Sequence, residues 1–416
     1  MRTYAHEPSG MPIREYGFAP VGANARERRL STPALALVWF GASVSLAEIL
    51  TGTFFAPLGL NGGIAAILVG HAIGFVLFVL MAYASARSSL GAMDAVKLTF
   101  GRLGSLVFSV ANVVQLVGWT AIMVSSGAAA AVYLVPTLGT GGWCAVIGAL
   151  IVVWIAVGMR HMSRVQAVAS VALFALTMVV STVVFGAGGS PSPSMEPLPF
   201  GSAVELAVAM PLSWLPVVGD YTREAKRPLA GSIAAATTYS LGSCWMFAIG
   251  LGLALFAGSG DLAEVLSAAG LGTVGILVVV FSTVTTTFLD AQSAGISAAA
   301  IHARIPAKWT GVAVAVVGAV AAAVAPVANF EEFLYLIGSV FAPMAAVFIV
   351  DYLVCGNDAS SKPFNLVNLA IWLGGFVLYR VTMNADFILG NTLPVMVVTA
   401  AATLVVSRIR KKAQKA

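Results

Sequence analysis

Apolar runs of about twenty residues recur from residue 33 almost to the C-terminus, separated by short polar or Gly/Pro-rich breaks, and a run of that length crosses the hydrocarbon core of a bilayer as a helix. The runs fall at 33–57, 62–86, 104–134, 141–159, 164–187, 200–219, 229–257, 270–300, 310–326, 329–352, 364–380 and 391–408. The pattern predicts an all-α integral membrane protein with twelve transmembrane helices, flanked by polar tails at 1–32 and 409–416.

Composition agrees with this reading. Of 416 residues, 59% are hydrophobic and 9% charged, whereas soluble domains carry roughly 25% charged residues. Basic residues sit in every other connection: Arg87, Lys97 and Arg102; Arg160 and Arg164; Arg223, Lys226 and Arg227; Arg304 and Lys308; and the tail "RIRKKAQKA". The alternate connections "PTLGTGGW", "GSPSPSMEP", "GSGDLAEV" and "VANFEEF" are neutral or acidic. The positive-inside rule then puts both termini in the cytoplasm of a cell-membrane protein, which requires an even number of spans. Only the connection holding Arg380 and Asp386 is ambiguous. Topology accounts for the net charge of +5, so no nucleic-acid partner is needed. The N-terminal segment carries Arg2, Arg14, Arg26, Arg28 and Arg29 but no apolar core or cleavage site of a signal peptide. Cys144, Cys244 and Cys355 lie far apart and form no metal or redox motif.

Forty-two glycines point to tight helix packing, because lipid offers no hydrophobic drive for helices to associate and close backbone contact replaces it. Two spans carry breakers at matching depth. The first reads "GASVSLAEILTG"; the sixth reads "AMPLSWLPVVGDYTREAK", where Pro211 and Pro216 each lack a backbone donor and bracket Ser213 and Trp214. Irregular backbone at membrane depth survives only where protein or a water-filled cavity satisfies it, and paired interruptions mark a central binding site. The plainer reading is a proline kink in an ordinary helix. Spans one and six start five helices apart, an odd number, which suggests an inverted repeat: 33–187 and 200–352 as five-helix units, then two trailing helices over 364–408.

Polar side chains cluster in three spans. In span eight, "FSTVTTTFLDAQSAG", Ser282, Thr285 and Thr286 share one helix face and would suit a hard cation such as sodium, although such hydroxyls also bond their own backbone one turn back. In span three, Asn112, Gln115 and Trp119 lie about one turn apart; the indole is placed to stack on a flat ring, or to pack in the core with its N–H bonded to a neighbour. His71 in span two reads most simply as a satisfied structural histidine, and Asp220, Arg223 and Asp351 as helix-end residues engaged in ion pairing or gating.

Glu48 is the only charged side chain between Arg29 and Arg87. An acid at the centre of a span costs about 2.5–3.5 kcal/mol on insertion scales, so it needs a partner. An aminopyrimidine offers an amine donor beside a ring-nitrogen acceptor, and a carboxyl group answers both. Glu48 is thus expected to read the substrate edge with Trp119 over the ring face; a proton carrier and an internal pair with His71 are the alternatives.

At "LVGWTA", "GDYTREAKRP" and "FSTVTTTFLDAQSAG" the sequence resembles the nucleobase:cation symporter-1 family over nearly the whole membrane part. "ALVWFGASVSLAEILTGTFFAPLGL" with "MPLSWLPVVGDYTR" is most similar to the branch assigned to hydroxymethylpyrimidine uptake for thiamine salvage, with cytosine permeases the neighbouring branch. The resemblance implies a leucine-transporter-type inverted repeat with broken helices 1 and 6, alternating access and cation symport without an organic cofactor. It implies that Trp119 stacks on the substrate, that Asp290 contacts it, and that main-chain carbonyls near Val44 and Ala47 join Ser282, Thr285 and Thr286 around sodium, a proton being the other coupling ion. Hydantoin-type relatives have a second stacking Trp where this chain has Pro211; here the nearest is Trp214. Substrate contacts are thus expected from Glu48, Gln115, Trp119, Ser213, Trp214 and Asp290. No HExxH, GxSxG or phosphate-loop signature supports an enzyme, and no repeated filter supports a channel. Amino-acid transport on the same architecture is the remaining rival, opposed by the repulsion between Glu48 and a substrate carboxylate.

Overall fold

The computed structural model describes residues 29–157, 159–186, 197–257, 261–268, 270–324 and 330–413. The N-terminal tail before Arg29, most of "GSPSPSMEP", parts of "GSGDLAEV" and "VANFEEF", the side chains of Arg160 and Arg164, and residues 414–416 lie outside that description. The described residues form helices α1 (Thr32–Ser43), α2 (Leu46–Thr53), α3 (Gly59–Ser88), α4 (Ala92–Phe100), α5 (Leu106–Ala131), α6 (Gly139–Val157), α7 (Met159–Gly186), α8 (Phe200–Ser213) and α9 (Leu215–Thr222). They continue through α10 (Pro228–Phe256), α11 (Leu262–Ala268), α12 (Gly272–Ile301), α13 (Ala307–Val324), α14 (Phe330–Phe348, prolonged by a π-helical turn over Ile349–Val354), α15 (Leu366–Thr382) and α16 (Thr392–Ala413). The sole β pairing among them is a single bridge between Leu30 and Ala225, which ties the start of the described chain to the "GDYTREAKRP" turn.

Among the described residues every apolar run is largely helical. Nine helices among the described residues are long and apolar enough to cross a membrane, ten if α1 and α2 count as one bent span; α15 and the 167–182 part of α7 are shorter apolar helices. Two short helices were not expected. α4 follows the second span and carries an Asp94–Lys97 ion pair at 2.7 Å; α11 lies in the acidic connection before α12.

The two interruptions differ in kind. α1 ends where Val44 (φ −96°, ψ 82°) and extended Ser45 leave the helix, and Ser45 Oγ restarts it by accepting from Glu48 N at 3.4 Å. The two pieces meet at 50°. In the sixth span, Pro211 lies inside α8 while Pro216 sits in the first turn of α9, a position that tolerates a missing N–H. The break falls between them at Trp214, with no bend above 40°, so α8–α9 still reads as one span.

The broken spans occupy the centre. In the most apolar window of α8–α9, 94% of residues are buried, against 28% for α13 on the outside. α2 crosses α10 backbone to backbone: a Cβ at Gly250 would overlap the Ile49 carbonyl oxygen, and one at Gly52 the Phe247 carbonyl oxygen. At the far end of α8, buried Glu205 accepts from Thr392 N (2.7 Å), Thr392 Oγ1 (2.6 Å) and the Tyr379 hydroxyl, fixing α15 and α16 to the centre. Gly250→Leu should therefore lower the melting temperature in detergent markedly, overpacking of this kind costing about 1–3 kcal/mol or more. Gly374→Ala on α15, where a Cβ meets nothing within 4 Å, should leave it unchanged or higher; equal effects in a thermal-shift assay would contradict the packing described.

Candidate functional site

A small cavity lies where the two breaks face each other. α2 contributes Ala47 and Glu48 and the first break Ser45; α8 contributes Met210 and Ser213 and the second break Trp214; α5 contributes Leu116, Trp119 and Met123; α12 contributes Thr286 and Asp290. Five of the six expected substrate contacts, Glu48, Trp119, Ser213, Trp214 and Asp290, thus line one space. On α5 the lining residues sit at i, i+3 and i+7, one helix face.

Gln115 does not line it. Its Nε2 donates to Asn112 Oδ1 (2.7 Å) and to the Ser213 carbonyl (3.1 Å), while Asn112 Nδ2 donates to the Pro216 carbonyl (3.1 Å) and Ser297 Oγ (2.7 Å). The cause is the second break: Val217 N turns to Trp214 O at 2.9 Å, leaving the Ser213 carbonyl without a helical donor. The amides of α5 supply what the broken backbone lost, as burial of a carbonyl requires. Gln115 thus supports the wall behind the cavity.

Trp119 stands edge-on against Phe330 and Phe333 of α14, with centroids 5.9 and 5.5 Å away, so its ring plane is set from outside the cavity. Trp214 is held edge-on by Trp39 at 5.4 Å. Ser213 donates to the Met210 carbonyl at 2.7 Å and keeps its oxygen lone pairs. Trp119 Nε1 and Thr286 Oγ1 are buried without a hydrogen-bond partner among the described residues.

The two acids differ. Glu48 is buried, its Oε1 accepting from the Tyr239 hydroxyl at 2.8 Å and its Oε2 lying 2.6 Å from Ser243 Oγ, both on α10. Ser243 in turn lies 2.6 Å from His71 Nε2, and His71 Nδ1 lies 2.8 Å from the Ile67 carbonyl. His71 is thus fully engaged outside the cavity, and its link to Glu48 runs through Ser243. Asp290, only 4% exposed, receives no hydrogen bond from the described residues. Tyr239 and Ser243 are functional neighbours that the sequence reading missed; their i, i+4 spacing on one face of an apolar helix was the available signal.

The expected cation ligands lie at the first break. Ser282 Oγ donates to the Val44 carbonyl at 3.3 Å, and Thr285 Oγ1 to the Ser282 carbonyl of its own helix at 2.9 Å. The Ala47 carbonyl accepts from Thr51 at 2.7 Å. Each of these oxygens retains a lone pair for a cation. Asp220 and Asp351 lie outside the cavity: Asp220 accepts from Ala92 N at 3.0 Å, capping α4, and Asp351 accepts from Asn357 Nδ2 at 2.7 Å. Arg223 pairs loosely with Glu224 at 3.8 Å.

Residues 20–404 match the family of permeases for cytosine/purines, uracil, thiamine and allantoin. The chain belongs to this family, the nucleobase:cation symporter-1 family. It is 26% identical over 346 residues to the cytosine permease of Escherichia coli strain K12, covering 80% of each chain. Its fold is similar to that of Mhp1, a nucleobase–cation symport-1 transporter, in a closed conformation with bromovinylhydantoin bound (TM-score 0.75, 19% identity, 92% of each chain). It is also similar to the inward-facing conformation of Mhp1 (TM-score 0.73, 20% identity, covering 93% of this chain and 92% of that one). A sodium-coupled sialic acid symporter shares the architecture more distantly (TM-score 0.61, 14% identity, covering 95% of this chain and 92% of that one). The protein is therefore a multi-pass secondary transporter of the leucine-transporter-type fold.

The stapling of the second break yields a test. Gln115→Leu should destabilise the purified protein by about 1–3 kcal/mol, the cost of leaving the buried Ser213 carbonyl unpaired, and Asn112→Leu by a similar amount, because it strips the buried Gln115 amide and Ser297 hydroxyl of their partner. Because the two amides bond each other, the double variant should lose less than the sum. Full additivity of the denaturation midpoints would contradict a shared network.

Proposed function

We propose that this transporter imports a small aminopyrimidine, hydroxymethylpyrimidine in the first instance, by cation symport with alternating access. The observation that carries the reading is the lining of the cavity, whose walls present two indoles and two carboxyl groups, a few placed polar groups among apolar and aromatic side chains as small-molecule sites have. A flat ring with an exocyclic amine uses both features. Trp119 covers the ring face, with Trp214 and Ser213 closing the side toward the second break. Asp290, whose oxygens hold no other donor, accepts from the amine, and Glu48 faces the adjacent ring edge from the first break. Gln115 takes part by holding the Ser213 backbone.

Sodium is the proposed coupling ion, bound by the Val44 and Ala47 carbonyls with Ser282, Thr285 and Thr286. Support comes from the buried, unpartnered Thr286 hydroxyl and from the contact of Ser282 with the carbonyl at the break. Segments 33–187 and 200–352 serve as the two inverted five-helix repeats, with 364–408 trailing, and both termini face the cytoplasm of the cell membrane.

Cytosine is the second reading, favoured by the likeness to the E. coli permease. It presents the same amine beside a ring nitrogen, so the geometry accommodates both. An α-amino acid fits less well, since its carboxylate would meet two acids.

Counterflow in proteoliposomes decides among these. Liposomes preloaded with unlabelled hydroxymethylpyrimidine should accumulate the labelled compound, and preloaded leucine should give none. Asp290→Asn should abolish accumulation, and Trp119→Ala should weaken apparent affinity by at least the roughly 0.5–1.5 kcal/mol of a ring pair. Exchange with cytosine alone would move the assignment to the second reading; exchange with leucine would overturn the first.

A further inference from the structure

Far from the cavity, the ends of four elements meet on one short connection. Residues 357–365, between the π-helical turn and α15, run along the junction of α4 and α5. Ala359 N donates to the Leu98 carbonyl (2.6 Å), Asn365 N to the Phe100 carbonyl (2.9 Å), and Arg102 N and Leu103 N to the Lys362 and Pro363 carbonyls (2.9 and 2.8 Å). Gly101, at φ +83°, permits this approach, because a Cβ there would stand 2.9 Å from both of those carbonyl oxygens. The end of α16 arrives at the same connection: Arg410 Nη1 donates to Asn365 Oδ1 at 3.4 Å, and Lys411 Nζ to the Cys355 carbonyl. Arg102, Lys362, Arg410 and Lys411, distant in sequence, thus share one corner. The protein does not answer their charge, since the ion pairs among the described residues are Asp94–Lys97 and Arg223–Glu224. The acids on this segment, Asp351 and Asp358, accept instead from Asn357 and Ser407 and from Ser360 N.

The same corner exposes apolar side chains. Leu103 is 48% exposed, Phe364 46% and Leu366 72%. Leu103 follows Arg102 directly, and Phe364 and Leu366 follow Lys362 at two and four positions, so charge and apolar surface lie side by side at the helix ends. That pairing suits the boundary of a bilayer, where headgroup phosphates lie against the first part of the acyl chains. A free phosphate would use the cations alone; a phospholipid uses both.

We propose that this corner binds an anionic phospholipid, its phosphodiester held by Arg102, Lys362 and Arg410 and its acyl chains laid over Leu103, Phe364 and Leu366. Guanidinium groups match phosphate oxygens with paired N–H donors, and Lys411 adds a further positive charge beside them. The bound lipid joins the end of α16 and the 357–365 connection to the start of α5, and so braces the two trailing helices against the rest of the bundle. The leaflet follows from the orientation proposed above; the site depends neither on that orientation nor on the transported compound.

Native mass spectrometry of the full chain in detergent, equilibrated with phosphatidylglycerol or phosphatidylcholine, measures the lipid retained. The wild type should retain phosphatidylglycerol several-fold more than phosphatidylcholine. Combining Arg102→Gln, Lys362→Gln and Arg410→Gln should lower phosphatidylglycerol retention roughly tenfold or more. Combining Lys226→Gln, Arg227→Gln and Arg304→Gln removes as many exposed cations elsewhere and should leave retention near the wild-type level. Arg102→Lys with Arg410→Lys keeps the charge and should keep most of the lipid. Equal losses in the two triple variants would mean attraction to overall charge and overturn the site, as would an unchanged first triple variant. Displacement of the lipid by millimolar glycerol phosphate would mean a site for a free anion and overturn the lipid assignment. For the bracing, phosphatidylglycerol should raise the melting temperature of the wild type by several degrees and leave that of the first triple variant unchanged. The melting temperature of that variant without lipid shows whether it is folded, and an equal rise in both proteins overturns the bracing.

Discussion

A backbone carbonyl or amide exposed at membrane depth must find a partner inside the protein, and the centre of this transporter is arranged around that requirement. Two helices are interrupted, at Val44–Ser45 and at Trp214, and each interruption is satisfied by side chains from neighbouring helices. Ser282 meets the Val44 carbonyl; Gln115 and Asn112 meet the Ser213 and Pro216 carbonyls. The polar groups gathered for this purpose stand behind the cavity wall, next to the residues that line it. Structural satisfaction and the proposed ligand site thus use different side chains of the same helices, and the oxygens and indole N–H left over at Thr286, Asp290 and Trp119 are those that the proposed substrate and cation would use.

The packing serves the same centre. Glycines let α2 and α10 touch backbone to backbone, and that contact brings Tyr239 and Ser243 to Glu48. A charged side chain that costs several kcal/mol in lipid is thereby enclosed in a chain of hydrogen bonds. At the other end of α8, Glu205 ties down the two last helices with three donors. Acids in this protein thus work in two ways: Glu205 as a fully occupied anchor, Glu48 and Asp290 as groups that still face open space.

The helices are legible in the sequence because lipid demands long apolar runs, and the site is legible where a residue violates that demand. Glu48 in an apolar run, prolines on both sides of Ser213 and Trp214, and the hydroxyl row of α12 all announce themselves. What is hidden is who meets whom. Tyr239 and Ser243 lie 191 and 195 positions from Glu48, so no local pattern links them to it. Gln115 looks like a substrate amide because its type suits that role, yet the carbonyl it serves is freed by a turn on another helix. The short helices α4 and α11 escape a search for apolar runs because each is too short to span.

In the proposed function, substrate and cation meet at the facing breaks. Equilibrium binding of hydroxymethylpyrimidine to the purified protein, with sodium against choline at equal ionic strength and constant pH, tests it most directly. Binding severalfold tighter in sodium, with the difference removed by Thr286→Ala, is the predicted result. Equal affinity in the two salts, or a sodium effect that survives Thr286→Ala, would contradict it.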